Sequence, residues 1–154
     1  MPAADGRARV LFLCTGNSCR SQMAEGWAHH LHGATIDACS AGTDPHGLNP
    51  LAVRAMQEAS VDIRTHTSKT IDACDPKTLD LVITVCGHAH ETCPTFPGSA
   101  RVIHCGFDDP PKLAANAASD DEAMPHYRRV RDEIRAFIET LPSVLREHGI
   151  ASDT

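Results

Sequence analysis

Apolar and polar positions along this chain follow two alternating rhythms, and their alternation predicts the fold class. Short unbroken apolar runs mark buried strands. Val10-Leu11-Phe12-Leu13 lies in a first strand over about Arg9 to Cys14. A second runs from about Thr35 to Ser40, a third from Leu79 to Val85 and a fourth from Ala100 to Cys105. Between them the apolar residues recur at helical spacings of three and four. Met23, Ala24, Trp27, Ala28 and Leu31 form one such stripe, with Met23 and Trp27 read as core packing. Asn49-Pro50 reads as an N-cap followed by proline at the first helical position, opening a helix to about Ala59. A last helix begins near Asp121 and places Tyr127, Val130, Ile134, Phe137, Ile138 and Leu141 on one stripe. Strands alternating with helices predict an α/β domain, a single open sheet of about four parallel strands with helices on both faces. Cys14, Cys86 and Cys105 then each stand at the carboxyl end of a strand, the edge where open α/β sheets bind ligands.

Length and charge narrow the picture. The 154 residues suffice for one domain with its own core. We read residues 1–8 as a flexible tail, 9–148 as the α/β domain and 149–154 as a second tail. No stretch approaches the ~18 apolar residues of a membrane span, and the start lacks a signal peptide's basic and apolar regions. A soluble, cytoplasmic monomer is expected. The net charge of −6 offers no long-range attraction for nucleic acid or an anionic membrane, so neither is expected as a partner. A small anion can still be held by a local ring of amides. Without a secretory signal, the seven cysteines are expected to stay reduced, with Cys39 and Cys74 an ordinary strand residue and loop residue.

Candidate chemistry gathers at the first strand end. The run C-T-G-N-S-C-R-S, Cys14 to Ser21, follows the apolar strand directly, so a cysteine enters a short loop with a helix behind it. Such a loop turns backbone N–H groups inward, and the helix N-terminus adds roughly half a positive charge. The expected ligand is a tetrahedral oxyanion, which Cys14 would touch as a thiolate. The planar fork of Arg20 can bridge two oxygens of one anion. Asn17 and Ser18 offer polar contacts, Ser21 can donate its hydroxyl to the sulfur, and Gly16 lets the backbone curl without a Cβ clash. Thr15, Gly16, Asn17, Ser18, Cys19, Arg20 and Ser21 are therefore the substrate-binding candidates. The nucleotide loop G-x-x-x-x-G-K-[ST] is absent. Taken alone, Cys14 also fits a small buried hydrophobe at a strand end.

Two further features lie on the same edge. Gly106-Phe107-Asp108-Asp109-Pro110-Pro111 follows the fourth strand, and Pro110 keeps Asp109 extended. A bound oxyanion there favours the protonated carboxyl, which can neutralise a departing oxygen. An Asp-Pro turn with two solvated carboxylates is the plainer alternative. Cys86 and Cys93 stand seven residues apart in C-G-H-A-H-E-T-C-P. On a helix both would share a face, with Cα atoms ~10 Å apart. A disulfide needs ~7 Å or less, so pairing them requires the segment to unwind between Gly87 and Pro94. His88 and His90 do not match zinc-site spacings, and no metal is expected.

The combination resembles a known family. C-x5-R-S after the first strand and D-P after the last are similar to the low-molecular-weight protein tyrosine phosphatase fold. With C-T-G-N-S-C-R-S-Q-M-A-E-G-W (Cys14 to Trp27), the Cys86/Cys93 pair, H-C-G-F-D-D-P (His104 to Pro110) and R-V-R-D-E-I from Arg129, the chain resembles the thioredoxin-coupled arsenate reductases built on that fold. The resemblance runs from about Arg9 to Leu141 and implies arsenic detoxification without a cofactor. It makes Cys14 the nucleophile on arsenate, Arg20 and the loop amides the oxyanion cradle, and Asp109 the general acid. It makes Cys86 the thiol that expels arsenite by attacking the Cys14 sulfur. Cys93 then takes over the disulfide and passes it to thioredoxin, each step being thiol–disulfide exchange. Some members hold potassium with an asparagine, a glutamate, a serine and an aspartate. Asn17, Glu25 and Ser40 match, but Lys69 stands where the aspartate would be, so its ammonium is expected to replace the cation. Cys105 occupies the position of a tryptophan found in many members.

Two readings from other classes remain beside this one. A phosphomonoester hydrolase would use Cys14, Arg20 and Asp109 and leave Cys86 and Cys93 incidental. A Cys/His arsenic- or metal-binding protein without turnover would leave Arg20 and the anion loop unexplained. Against a dedicated tyrosine phosphatase, the chain has one Tyr, one Trp and no aromatic pair beside Asp109-Pro110.

Overall fold

The computed structural model of the protein describes residues 7–87 and 100–150. In chain order the elements are β1 (Ala8–Cys14), α1 (Arg20–His32), β2 (Ile36–Gly42), α2 (Pro50–Glu58), β3 (Leu81–Thr84), β4 (Arg101–His104), α3 (Pro110–Leu113), α4 (Asp120–Glu139) and α5 (Leu141–Glu147). Two short 3-10 turns, Ile71–Cys74 and Pro76–Thr78, lead into β3. The four strands form one parallel sheet in the order β2-β1-β3-β4, as the alternating sequence pattern predicts. The chain moves outward from β1 to β2, then crosses back to place β3 on the other side of β1. The order therefore reverses between β1 and β3, and the crevice at their carboxyl ends is the natural ligand site.

The sheet centre is dry. Val10, Leu11, Phe12 and Leu13 alternate between the two faces of β1, yet each is fully buried, so both faces are covered. Helix α1 lies on β1 and β2 and packs against α4. Met23, Ala24, Trp27 and Ala28 meet a core that includes Tyr127, Val130, Ile134 and Ile138. The buried Trp27 indole donates to the Arg131 carbonyl at 3.1 Å. The Arg135 guanidinium carbon stands 4.9 Å from the centre of the same ring. Trp27 and Met23 are core residues, as their spacing suggests.

Local chemistry explains most boundaries. Asn49 caps α2 by accepting from the N–H groups of Leu51 (2.8 Å) and Ala52 (3.2 Å), with Pro50 at the first helical position. The first strand begins at Ala8, which is wholly buried, one residue before its apolar pattern suggests. The apolar stripe predicted to run to Leu141 is divided between two helices at Thr140. Pro142 has no N–H for the Ile138 carbonyl, and the His32 ring stands 2.8 Å from that oxygen instead.

One expectation is overturned. Cys39 of β2 and Cys74 of the 3-10 turn form a disulfide, with Cα atoms 6.0 Å apart. They lie 35 positions apart in sequence. Their proximity arises because the turn packs on β2 at the sheet edge, a contact that no local pattern announces. Among the described residues, no helix is long and apolar enough to cross a membrane.

Candidate active site

The loop from Cys14 to Ser21 owes its shape to donors outside it. The Thr43 N–H takes the Cys14 carbonyl (3.2 Å), Asp44 takes Thr15 (2.8 Å), His46 takes Gly16 (2.9 Å) and Asn49 takes Ser18 (3.0 Å). The Ser68 hydroxyl adds a second bond to Gly16 (3.0 Å), and the Gln22 amide takes the Asn17 carbonyl (3.1 Å). With its carbonyls drawn outward, the loop presents its N–H groups to the interior, as an anion nest requires. Helix α1 begins at Arg20 and adds the positive end of its dipole.

The residue in the left-handed region is Asn17 (φ +45°), not Gly16. Asparagine tolerates this conformation, and here its buried side chain is held from three directions. Gly16 avoids a Cβ clash, as expected of it: a Cβ there would stand 2.7 Å from the His46 ring. Gly42 is needed too, because its Cβ would meet the Thr15 carbonyl at 2.5 Å and the Asn17 nitrogen at 2.8 Å. The end of β2 thus presses directly on the back of the loop.

The Cys14 sulfur, 3 % exposed at residue level, receives the Asn17 N–H at 3.2 Å and lies 2.8 Å from the Ser21 oxygen. Hydrogen-bond logic fixes the direction of the second contact. The Lys69 backbone N–H can only donate, and it bonds Asn17 Oδ1 at 2.8 Å. Asn17 Nδ2 therefore faces Ser21 Oγ, 2.9 Å away, leaving the hydroxyl hydrogen directed at the sulfur. Two donors converging on one sulfur suit a thiolate. Cys19, by contrast, is held toward its neutral thiol form. Burial pushes its ionisation strongly upward, and Asp109 reinforces the effect.

The other candidates meet around one cavity of about 570 Å³. Arg20 donates to the Phe107 carbonyl (3.0 Å), and its second terminal nitrogen stands 3.6 Å from Asp109. This ties the acid loop to the anion loop. Asp109 has the extended backbone that Pro110 imposes and precedes α3. Cys86, just beyond β3 and 4 % exposed, lies with its sulfur 3.4 Å from Thr15 Oγ1. Cys14, Thr15, Gly16, Ser18, Cys19, Arg20, Cys86 and Asp109 all line this cavity, while Asn17 and Ser21 support it from below. Cys93, with His88 and His90, lies outside the described residues.

Several positions around the cavity are not among the sequence candidates for the site. Gln22, wholly buried, bonds Asn17 and the Thr67 carbonyl (3.0 Å), which locks the segment before Lys69 to the loop. Asn49, legible only as a helix cap, also lines the cavity and donates to the Tyr127 hydroxyl at 3.0 Å. His46 and Lys112 complete the rim. Beneath the loop, Glu25 accepts from Ser40 (2.7 Å) on the same carboxylate oxygen that faces the Lys69 ammonium (3.6 Å). Lys69 therefore supplies a positive charge beside the Glu25 carboxylate. Cys105 is half-buried, which pushes its ionisation to higher pH.

Comparison with known proteins identifies the family and the fold. The profile of the family described as low molecular weight phosphotyrosine protein phosphatase matches residues 9–151. An arsenate reductase of Halalkalibacterium halodurans is 50% identical over 131 residues, covering 85% of this chain and 92% of that protein. A solved arsenate reductase in a phosphate-binding state superposes with a TM-score of 0.70 at 29% identity, covering 88% of this chain and 97% of the other. A low molecular weight protein tyrosine phosphatase from T. tengcongensis superposes with a TM-score of 0.68 at 26% identity, covering 90% and 99%.

Proposed function

Because the chain belongs to the low molecular weight phosphotyrosine protein phosphatase family, with relatives that are arsenate reductases, we propose that its oxyanion site reduces arsenate to arsenite. Arsenate sits in the ring of inward N–H groups with Arg20 across two of its oxygens. The Cys14 thiolate attacks arsenic, and Asp109 gives its proton to the departing oxygen, leaving a Cys14–arsenic adduct. The Cys86 thiolate then attacks the Cys14 sulfur. The sulfur–arsenic electron pair leaves with arsenic, which departs as arsenite, and a Cys14–Cys86 disulfide remains. Two thiols have supplied the two electrons. Cys93 attacks Cys86 to form Cys86–Cys93, and thioredoxin reduces that bond by the same exchange.

The observation that carries this reading is the second thiol. A hydrolase needs the nucleophile, the arginine and the acid, but it has no use for Cys86 against the lip of the anion loop. The solved phosphatase of similar fold favours phosphate-ester cleavage as a side activity of the same Cys14, Arg20 and Asp109. The test is thioredoxin-coupled arsenate turnover in wild type, Cys86→Ser and Cys93→Ser. Either substitution abolishes multiple turnover while Cys14-dependent cleavage of p-nitrophenyl phosphate survives. Absence of coupled turnover in wild type would replace the reductase reading with the hydrolase one.

A further inference from the structure

Glu25 has two carboxylate oxygens, and the site described above uses one of them. Oε1 takes the Ser40 hydroxyl and faces Lys69. Oε2 points the other way, toward Nδ1 of His66 at 3.3 Å. His29, one helical turn after Glu25 on α1, completes the group. Each of the three residues offers a ligand atom within 4.8 Å of the other two. The rings of His29 and His66 meet at 76°, with centres 5.8 Å apart. We propose that Glu25, His29 and His66 form a binding site for a first-row divalent ion of the zinc type, distinct from the arsenate site.

The donor set, the spacing and the surroundings each support this. Two imidazoles with one carboxylate suit zinc, nickel or copper far better than magnesium or calcium. Bonds of ~2.1 Å at tetrahedral angles hold two ligand atoms about 3.4 Å apart. The Glu25–His66 pair already stands at that distance. Glu25 and His29 are four residues apart on one helix, the spacing by which helices present two ligands on one face. Glu25 has 8% and His66 13% side-chain exposure, so two donors are pre-positioned inside the fold. His29 is fixed by a 2.9 Å contact of its Nε2 with the Ala38 carbonyl. Open coordination positions face a cavity of about 220 Å³, whose walls include His29, His30, Asp62 and His66. The proton on His66 Nδ1 contacts Gln22 Oε1 (3.1 Å) as well as Glu25. A cation entering between Nδ1 and Oε2 displaces that proton and moves the ring to its other tautomer.

The site would act on the anion loop through a short path. His66 contacts Gln22, Gln22 bonds Asn17, and Asn17 bonds Ser21 beneath the Cys14 sulfur. A bound ion would fasten α1 to the 60–66 connection and stiffen that chain of contacts.

Cobalt(II) is the probe, because its absorption separates nitrogen and oxygen donors from thiolates by the absence of sulfur-to-metal charge transfer. The full chain, reduced, is titrated as wild type, His29→Gln, His66→Gln and Cys14→Ser, with zinc competition. We expect one equivalent of cobalt bound without sulfur charge transfer, unchanged by Cys14→Ser and displaced by zinc. Affinity falls at least fivefold in each histidine variant. His29 is exposed at the surface, so its variant keeps the fold and decides the matter alone. The proposal is overturned if His29→Gln changes affinity by less than fivefold, if all bound cobalt shows thiolate charge transfer, or if no cobalt binds.

Discussion

Opening the Cys39–Cys74 disulfide gives a quantitative test of the fold. The bridge closes a loop of 35 residues that contains α2 and the segment carrying His66, Ser68 and Lys69. In the chain-entropy model a loop of this size contributes about 4 kcal/mol, by restricting the unfolded chain. For a domain of this length that corresponds to a fall in melting temperature of roughly 8–15 °C. The measurement is thermal unfolding by circular dichroism of wild type and the Cys39→Ser/Cys74→Ser double variant, each with and without a phosphine reductant. Oxidised wild type melts highest. Reduction brings it down to the variant's temperature, and the variant itself does not respond. A non-reducing digest shows the two cysteine peptides joined. If oxidised wild type and variant melt within 3 °C of each other, the bridge does not constrain the unfolded chain as argued. If reductant shifts the variant equally, another bond is responsible.

Four further outcomes follow from the same structure. Ser21→Ala removes a hydrogen bond that would hold a Cys14 thiolate, worth about 1.5–3 kcal/mol, so alkylation of Cys14 by iodoacetamide slows by roughly 10–100-fold; an unchanged rate refutes the donor direction assigned to Ser21. Gly42→Ala drives a methyl into the Thr15 carbonyl and Asn17 nitrogen, and arsenate kcat/KM drops by about 100-fold or more while circular dichroism stays native-like. Exchanging potassium for sodium changes turnover by less than about twofold because Lys69 faces Glu25, whereas Lys69→Asp makes activity respond to potassium; strong stimulation of the wild type contradicts this. Burial is the main cause holding His66 below its ordinary value, with His29 and Lys69 acting the same way and Glu25 and Asp62 opposing. The unfolded chain therefore binds the proton more readily, so stability decreases as pH falls below about 6.5. His66→Gln flattens that slope in urea titrations at pH 5 to 8, and an unchanged slope assigns it to another group.

The sheet and the reactive edge were legible because their signals are local. An apolar run long enough to cross a core can be read from Val10 to Leu13 without knowing its neighbours. The Asn49-Pro50 cap is likewise complete within four residues. The anion loop was legible as a set of residue types, but not as a shape. Which residue takes the left-handed conformation depends on Lys69, Gln22 and Ser21 holding the Asn17 side chain in place, and these are up to 52 residues away. That Gly16 avoids a Cβ clash is legible, but that the clash is with the His46 ring, 30 residues on, is not. The Cys39–Cys74 bond is illegible for the same reason, since compartment reasoning addresses the chain as a whole and not the one place where two sulfurs meet. The helix break at Thr140 escaped because a continuous stripe says nothing about which carbonyl His32 will reach.

The outward carbonyls of the anion loop have a consequence for protein engineering. The eight residues from Cys14 to Ser21 contain the nucleophile and the anion cradle, but their curvature is stored in Thr43, Asp44, His46, Asn49 and Ser68. Grafting the octapeptide onto another strand–helix junction would transfer the chemistry's vocabulary without its grammar. A recipient scaffold would also have to supply that external row of hydrogen donors before the graft could grip an oxyanion.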